Sequence, residues 1–388
     1  MTSRTRFFVL VISTPVIAFA IIGGFLGQAM TRDETYQHLR VFEDVVSLVL
    51  NNYVEEVDVN RAMKGAMNGL ADGLDADSAY LTPILVKDLE ANDEGGAGDV
   101  GLELTRQYYL RVISARDGSS AAKAGLRTGD YVRRIDTRPT RDMSAFEGMR
   151  LLRGAPGSKV SLLVIRGNAA DPHVVDLVRE RSRTAELTSR MADPATGYIR
   201  VAEVSRQTPA LLKQSFEALA KTGAKRYVID VRGTARGDID EGIAAARLFV
   251  KSGTLTIRQT KGDHRDIVPA QANEGPIVAP VVLLVDSGTS GAAEVFAAAL
   301  KGNDRAELVG GHTFGRAARQ RLVKLPDGSG LLLSHLRYLT PAGNALHEKG
   351  LKPDIEVDQP EVEFGSEPPA TDITLQRALE YFAQKKAA

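Results

Sequence analysis

The sequence predicts an α/β protein in three parts: a helical N-terminal segment, a small strand-rich domain, and a larger α/β core closed by one further helix. Three observations carry that reading. The stretch "VAPVVLLVDSGTSGAAEVFAAAL" runs from an apolar strand through a turn into an alanine-rich helix, and "RYVIDVRG" followed by "DIDEGIAAARLFV" repeats the form. Short strands and turns alternate from Val100 to about Val178. Residues 31–92 carry apolar side chains at helical spacing.

The N-terminus opens with Arg4 and Arg6, and the run Phe7 to Gly27 that follows carries no charge. About 20 residues of helix cross a bilayer core, so residues 1–30 are expected to form a single membrane anchor. Basic residues before the run and mixed charge after Arg32 place the bulk on the periplasmic or exterior side of a bacterial-type inner membrane. Gly27-Gln28-Ala29 leaves cleavage open, but a run of this length reads better as an uncleaved anchor.

Residues 31–95 form the helical segment. In "YQHLRVFEDVVSLVLNNYV" the residues Leu39, Phe42, Val45, Val46 and Leu50 make one apolar face, and "VNRAMKGAMNGLADGL" is a second helix. "LDADSAYLTP" then breaks the pattern with turn residues. Its Asp75 and Asp77 lack the glycine and closing glutamate of a calcium loop. "ANDEGGAGDVG" is a flexible joint; no strand precedes its glycines and no helix follows, which excludes a dinucleotide loop.

Residues 96–182 read as two strands in "GLELTRQYYLRVISA", a short helix ending at Gly125, a strand, a second helix in "MSAFEGMRLLRG" and a last strand in "SKVSLLVIRG". The pieces "VGLEL", "SSAAKAGLRTGD" and "LLRGAPGSKVSLLVIR", in this order, resemble a PDZ domain. That resemblance implies a groove that adds a peptide strand to the sheet edge and holds a terminal carboxylate on loop amides. The loop would be Val100, Gly101, Leu102 and Glu103, leading into Leu104.

Residues 183–360 form the core. "TGYIRVAEV" is a strand, and "TPALLKQSFEALAKTG" a helix with Thr208 as cap, Pro209 in the first turn and Gly223 at the end. After the two strand-turn-helix units come the strand "AELVG" and a hairpin, "QRLVKLPDGSGLLLSHLRYL", turning at Asp327-Gly328. Residues 361–388 carry the closing amphipathic helix.

Composition narrows the chemistry. With 388 residues and 43% hydrophobic content there is material for two or three cores. Basic and acidic residues balance at 49 each, which gives no pointer to nucleic acid. There is no cysteine, so disulfides, thiolate metal sites and cysteine nucleophiles are excluded. The histidines show no ligand spacing, and "HEKG" at His347 lacks the second histidine of a zinc helix, so no metal and no cofactor is expected.

Taken together, "LDADSAYLT", "GAKRYVIDVRG", "AAEVFAAALKGNDRAELVG", "TFGRAARQ" and "HEKGLKPDIEV" resemble blocks of the carboxy-terminal processing, or tail-specific, proteases. The resemblance implies a crotonase-like, ββα-spiral peptidase core, a serine-lysine pair, and a PDZ domain that presents or senses protein C-terminal tails. The family reads Ser-Ala-Ser-Ala-Ser-Glu before the helix, with the middle serine as nucleophile. Aligned on Glu294, that serine falls on Gly291, and the general-base lysine after Thr313-Phe314-Gly315 falls on Arg316. Gln320 matches the residue that orients the lysine. The oxyanion region, Asp-Leu-Arg-Asn-Asn-Pro-Gly-Gly in the family, is "DVRGTARGD" here, with Arg236 at the first glycine and Gly237 at the second.

Glycine has no side chain to attack with, and an arginine stays protonated at any working pH. An arginine at the oxyanion turn is expected to hinder backbone approach. The favoured reading is therefore a membrane-anchored pseudoprotease that binds C-terminal tails and acts as an adaptor or regulator, alone, as a homo-oligomer or on an active relative. The alternative is an active serine peptidase that uses Ser290, one residue from the family position, with His312 as base. One residue along a helix start turns the side chain by about 100°, so the bland reading makes Ser290 a helix cap and His312 an exposed loop residue.

Overall fold

The computed structural model describes residues 36–92, 95–167, 171–181, 186–360, 362–366 and 371–387. The run Phe7 to Gly27, and with it the expected anchor, lies outside them. Among the described residues no helix is long and apolar enough to cross a membrane. The chain divides into two compact units, Met1–Ala66 and Met67–Ala388.

In the first unit, α1 (36–52) is helical as its spacing predicts, but Leu39, Phe42, Val45 and Leu50 are exposed and only Val46 is half-buried. The apolar face exists without a cover among the described residues. Helix α2 (Val59–Asp72) follows, then β1 (Ala79–Leu81) and α3 (Pro83–Glu90). The turn before β1 is tied by Asp75, whose Oδ1 accepts the amides of Asp77 at 2.9 Å and Ser78 at 2.7 Å. That local turn is what the aspartates of "LDADS" build. Strand β1 itself goes beyond the expected turn: it pairs antiparallel with a strand some 250 residues on, Ala79 opposite Leu332.

The strand-rich domain contains β2 (Leu102–Gln107), β3 (Tyr109–Ala115), α4 (Ser120–Lys123), β4 (Tyr131–Ile135), β5 (Arg138–Pro139), α5 (Ala145–Leu152), β6 (Lys159–Ile165) and β7 (His173–Val178). Both helices start on serines, Ser119 and Ser144, whose side chains accept the amides of Ala122 and Glu147. The sheet order is β2-β3-β4-β6-β7, with β5 beside β4. Strand β7 extends the sheet beyond the last expected strand. At the other end β2 is an edge, and α5 packs across the sheet so closely that a methyl group at Gly148 would stand 2.2 Å from Leu110 Cδ1.

The core contains β8 (Leu187–Asp193), β9 (Thr196–Val201), α6 (Thr208–Lys221), β10 (Arg226–Asp230), α7 (Ile239–Ala246), β11 (Thr254–Thr260), β12 (His264–Pro269), β13 (Val281–Val285), α8 (Ala292–Gly302), β14 (Ala306–Gly310), β15 (Ala318–Lys324), β16 (Gly330–Leu339), β17 (Ile355–Glu356) and α9 (Ile373–Ala387). One sheet runs β17-β14-β13-β10-β9-β8; the second runs β1-β16-β11-β12, with β15 on β16. Strand β8 and the β11–β12 hairpin are additions to the expected elements. Helix α6 begins at Thr208 with Gln207 in the cap position; Thr208 does not cap but accepts the Ser205 amide at 2.8 Å.

The continuous apolar run of β13 is explained by burial on both faces, as in a parallel sheet covered by helices. Its period of two divides the side chains. Leu283 and Val285 join Phe216, Phe249 and Phe296 under α6–α8, while Val282 and Leu284 meet Ala378 and Phe382 of α9. Helix α8 is buried from Ala292 to Leu300, which fixes the end of the turn before it.

Helix α7 crosses the start of α8 at Gly242, where an added methyl would stand 2.2 Å from the Ala292 carbonyl oxygen. Gly242→Ala is expected to cost about 1–3 kcal/mol through overpacking. Gly69→Ala in α2 has open space around it and is expected to be neutral or stabilising by about 0.5–1 kcal/mol. Denaturant midpoints test this, and equal midpoints for the two variants would remove the close crossing from the account.

Candidate active site

The turn between β13 and α8 holds three hydroxyl side chains with three fates. Ser287 is exposed. Thr289 is fully buried; its hydroxyl lies 2.9 Å from the Val231 carbonyl oxygen and accepts the Asp286 amide at 3.1 Å, so it is committed to the turn. Asp286 in turn accepts the amides of Gly233 at 2.8 Å and Gly288 at 2.9 Å. Burial pushes its pKa above the ordinary carboxylate value despite those donors.

Ser290 is 1% exposed, and its Oγ has no hydrogen-bond partner. Its amide donates to the Thr234 carbonyl at 3.0 Å. The bland expectation is corrected here: Ser290 does not cap α8. Gly291 occupies the cap position, at φ 60° and ψ −119°, with no side-chain bond. The pairing of Ser290 with His312 is also not formed. His312 is exposed, and its Nδ1 lies 2.9 Å from the Thr313 carbonyl oxygen.

Gly291 is a vacant elbow. The positive φ is one that residues with a Cβ rarely adopt, and it bends the chain sharply from strand to helix. A methyl built there would meet only the backbone oxygens of Arg316, at 3.7 Å, and Ala235, at 3.9 Å. The position the family resemblance assigns to the nucleophile therefore lies between the turn bearing Arg316 and the turn bearing Gly237.

Glu294, one turn into α8, joins these parts. It is fully buried and accepts the Thr313 hydroxyl, the Gly315 amide at 2.6 Å and the Arg316 amide at 2.9 Å. Thr313 Oγ1 accepts the Leu351 amide at 2.7 Å. Burial pushes the Glu294 carboxyl up to about 7, against the pull of those donors.

Arg316 carries its guanidinium to Asp77, Nε to Oδ1 at 2.7 Å. Burial works against the charge, but the carboxylates of Asp77 and Glu103 outweigh it and hold Arg316 above its ordinary value. It is a cation that cannot accept a proton. Gln320 does not reach it; its amide donates to Ser334 Oγ at 3.2 Å. Ser334 Oγ lies 3.2 Å from Asp75 Oδ1, so Gln320 belongs to a polar chain between β15 and the Asp75 turn.

At the neighbouring turn, Gly237 has φ 140°, and a methyl on it would stand 2.2 Å from the Val204 carbonyl oxygen. Arg236 departs from the expected obstruction. Its side chain reaches Asp99 of the PDZ-like domain, Nη1 to Oδ2 at 3.2 Å, while its Nε lies 3.5 Å from Oε1 of Glu203 in the core. Asp99 is also held by Arg116 at 2.6 Å, and its pKa falls because these arginine contacts outweigh the burial that would raise it.

In the strand-rich domain the expected groove residues divide. Val100, Leu102 and Leu104 are buried in the domain core, so only their backbone faces an incoming strand. Gly101 has φ 79°, and a methyl there would stand 2.2 Å from Ser119 Cβ. The side chain of Glu103 faces Arg316, Arg236 and Arg153; burial raises its pKa and the three arginines oppose the rise. Sequence reasoning missed Asp77, Asp99 and Glu203, whose partners are remote in the chain. Glu294 served as an alignment mark and carried no assigned role.

No group of side chains among the described residues is suited to hold a metal ion. Residues 195–357 match peptidase family S41, and residues 111–166 match the PDZ domain. The chain is 28% identical over 362 residues to the carboxy-terminal-processing protease of Bartonella bacilliformis, spanning 89% of this chain and 83% of that protein. It is 28% identical over 375 residues to the carboxy-terminal processing protease of Bacillus subtilis, spanning 93% and 79%. Among solved structures, the photosystem II D1 C-terminal processing protease superposes with a TM-score of 0.69 at 29% identity, covering 82% of this chain and 86% of that one.

Proposed function

Because the chain belongs to the carboxy-terminal processing proteases of peptidase family S41, we propose that it is a silent member of that family, one that binds protein C-terminal tails without cleaving them. The observation that carries the reading is the emptiness of the elbow: the nucleophile position is Gly291, and the base position is an arginine bound to Asp77 at 2.7 Å. A hydrolase needs a nucleophile and a group able to take its proton within hydrogen-bond reach. Neither site position supplies one, and the nearest hydroxyl, on Ser290, has no partner.

Tail binding rests on a separate feature. Strand β2 is a sheet edge beside α5, where an extended peptide adds as a further strand. In this reading the basic start and uncharged run at the N-terminus anchor the protein in an inner membrane, with the groove on the outer side. There it acts as an adaptor or regulator, as a homo-oligomer or on an active relative.

The test is exposure of the full chain to a fluorophosphonate probe and to an unstructured protein substrate, with Ser290→Ala alongside. No labelling and no cleavage by the folded protein is the expected result. Labelling and cleavage that both vanish in Ser290→Ala would replace this reading with an active peptidase that uses a displaced nucleophile.

A further inference from the structure

The start of β2 borders a small pocket in which a residue of the peptidase core meets the PDZ-like domain. Its lining includes Asp99, Glu103, Arg116, Arg153 and Arg236, three cations against two anions. Arg236 comes from the core turn, at the position where the family has a glycine. Asp99 already rests between two guanidiniums, 2.6 Å from Arg116 and 3.2 Å from Arg236, so this pocket holds a carboxylate by arginine pairing.

We infer that Arg236 is part of the carboxylate-recognition site of the groove, and that the ligand taken there is a peptide ending in a free α-carboxylate. The inference rests on the tail-binding reading above and adds the core's contribution to it. A peptide strand added along β2 brings its last residue to the Gly101–Leu102 end of the strand, where the pocket lies. Arg236 is shared between Asp99 at 3.2 Å and Glu203 at 3.5 Å, and a tail carboxylate entering here takes up the remaining donors of its guanidinium. The Val100 and Gly101 carbonyls are already occupied by the amides of Ala121 at 3.0 Å and Arg116 at 2.7 Å, which leaves the loop rigid around the pocket. The substitution that accompanies the loss of chemistry at the elbow thus adds a reading group for the tail, and recognition needs core and PDZ-like domain in one chain.

The experiment measures binding of a fluorescent ten-residue peptide with an apolar C-terminal residue to the full chain, as the free acid and as the C-terminal amide. Wild type is expected to prefer the acid by at least about tenfold, as for a hydrogen-bonded charge. Arg236→Gly is expected to weaken the acid about tenfold and leave the amide unchanged, while Arg236→Lys keeps most of the preference. Unchanged amide binding shows that the groove remains folded. If Arg236→Gly keeps the full acid preference, the inference is overturned while tail binding stands. If wild type binds neither peptide, the tail-binding reading falls and this inference falls with it.

Discussion

On the proposed reading, Gly291→Ser combined with Arg316→Lys is expected to yield a slow hydrolase, raising fluorophosphonate labelling by at least about 10³-fold over wild type. Loss of one catalytic side chain typically costs 10⁴–10⁶ in rate, so restoring a pair recovers a large part of it. Either substitution alone is expected to stay near background, because nucleophile and base act as a unit. The space is already present, since a Cβ at Gly291 meets nothing closer than 3.7 Å. The backbone conformation of Gly291, φ 60° and ψ −119°, will cost about 1–3 kcal/mol for a residue with a side chain. The turn is anchored by the buried Thr289 and by α8, so the variant should fold.

The pH profile of that double variant carries a second expectation. A lysine at position 316 inherits the Asp77 carboxylate, now 2.7 Å from the guanidinium, and an opposite charge at that distance favours the protonated amine. The amine acts as a base only when neutral, so labelling should rise toward alkaline pH. Adding Asp77→Asn should move the rise to lower pH. If double and triple variants are folded, bind tails and remain unlabelled, then the two departed side chains are not what silences the site.

How much of this was legible before the structure depends on the range of each interaction. Strand β13, helix α8 and the hairpin at Asp327-Gly328 follow from local signals: an unbroken apolar run, an alanine-rich stretch, and a turn dipeptide between alternating strands. The assignment of Gly291 and Arg316 to the nucleophile and base positions rests on register, which Glu294 and the Thr-Phe-Gly turn mark. The β11–β12 hairpin was not read because "TIRQTKGDHRDIVP" is mostly polar and its second strand is exposed along most of its length. Strand β1 was hidden for another reason: a three-residue edge is specified by its partner β16, remote in the chain. Asp77 with Arg316, and Asp99 with Arg236, are contacts of the same remote kind. The burial of Ser290 was likewise invisible, since a serine before a helix reads locally as a cap.

Glu294→Ala is expected to be the most damaging single change, costing roughly 3–5 kcal/mol near pH 5. It strands the Thr313 hydroxyl and the amides of Gly315 and Arg316 in a dry interior, and each unsatisfied donor costs about 1–3 kcal/mol before any relaxation. Glu294→Gln separates shape from charge. Burial holds the wild-type carboxyl at about 7 against an ordinary value of 4.5, so the folded protein keeps a proton that the unfolded chain releases between those two values. The stability this group contributes is complete below about pH 4.5 and is lost as pH rises through 7, by about 3 kcal/mol in all. A glutamine carries no such dependence. The stability gap between wild type and Glu294→Gln, from denaturant unfolding, should therefore shrink between pH 5 and 7.5. A gap that stays constant would mean the carboxyl is ionised throughout and that its donors outweigh its burial. Either way the turn bearing Arg316 hangs on this side chain. In the tail-binding reading proposed above, this buried brace keeps the frame from which the tail pocket takes Arg236.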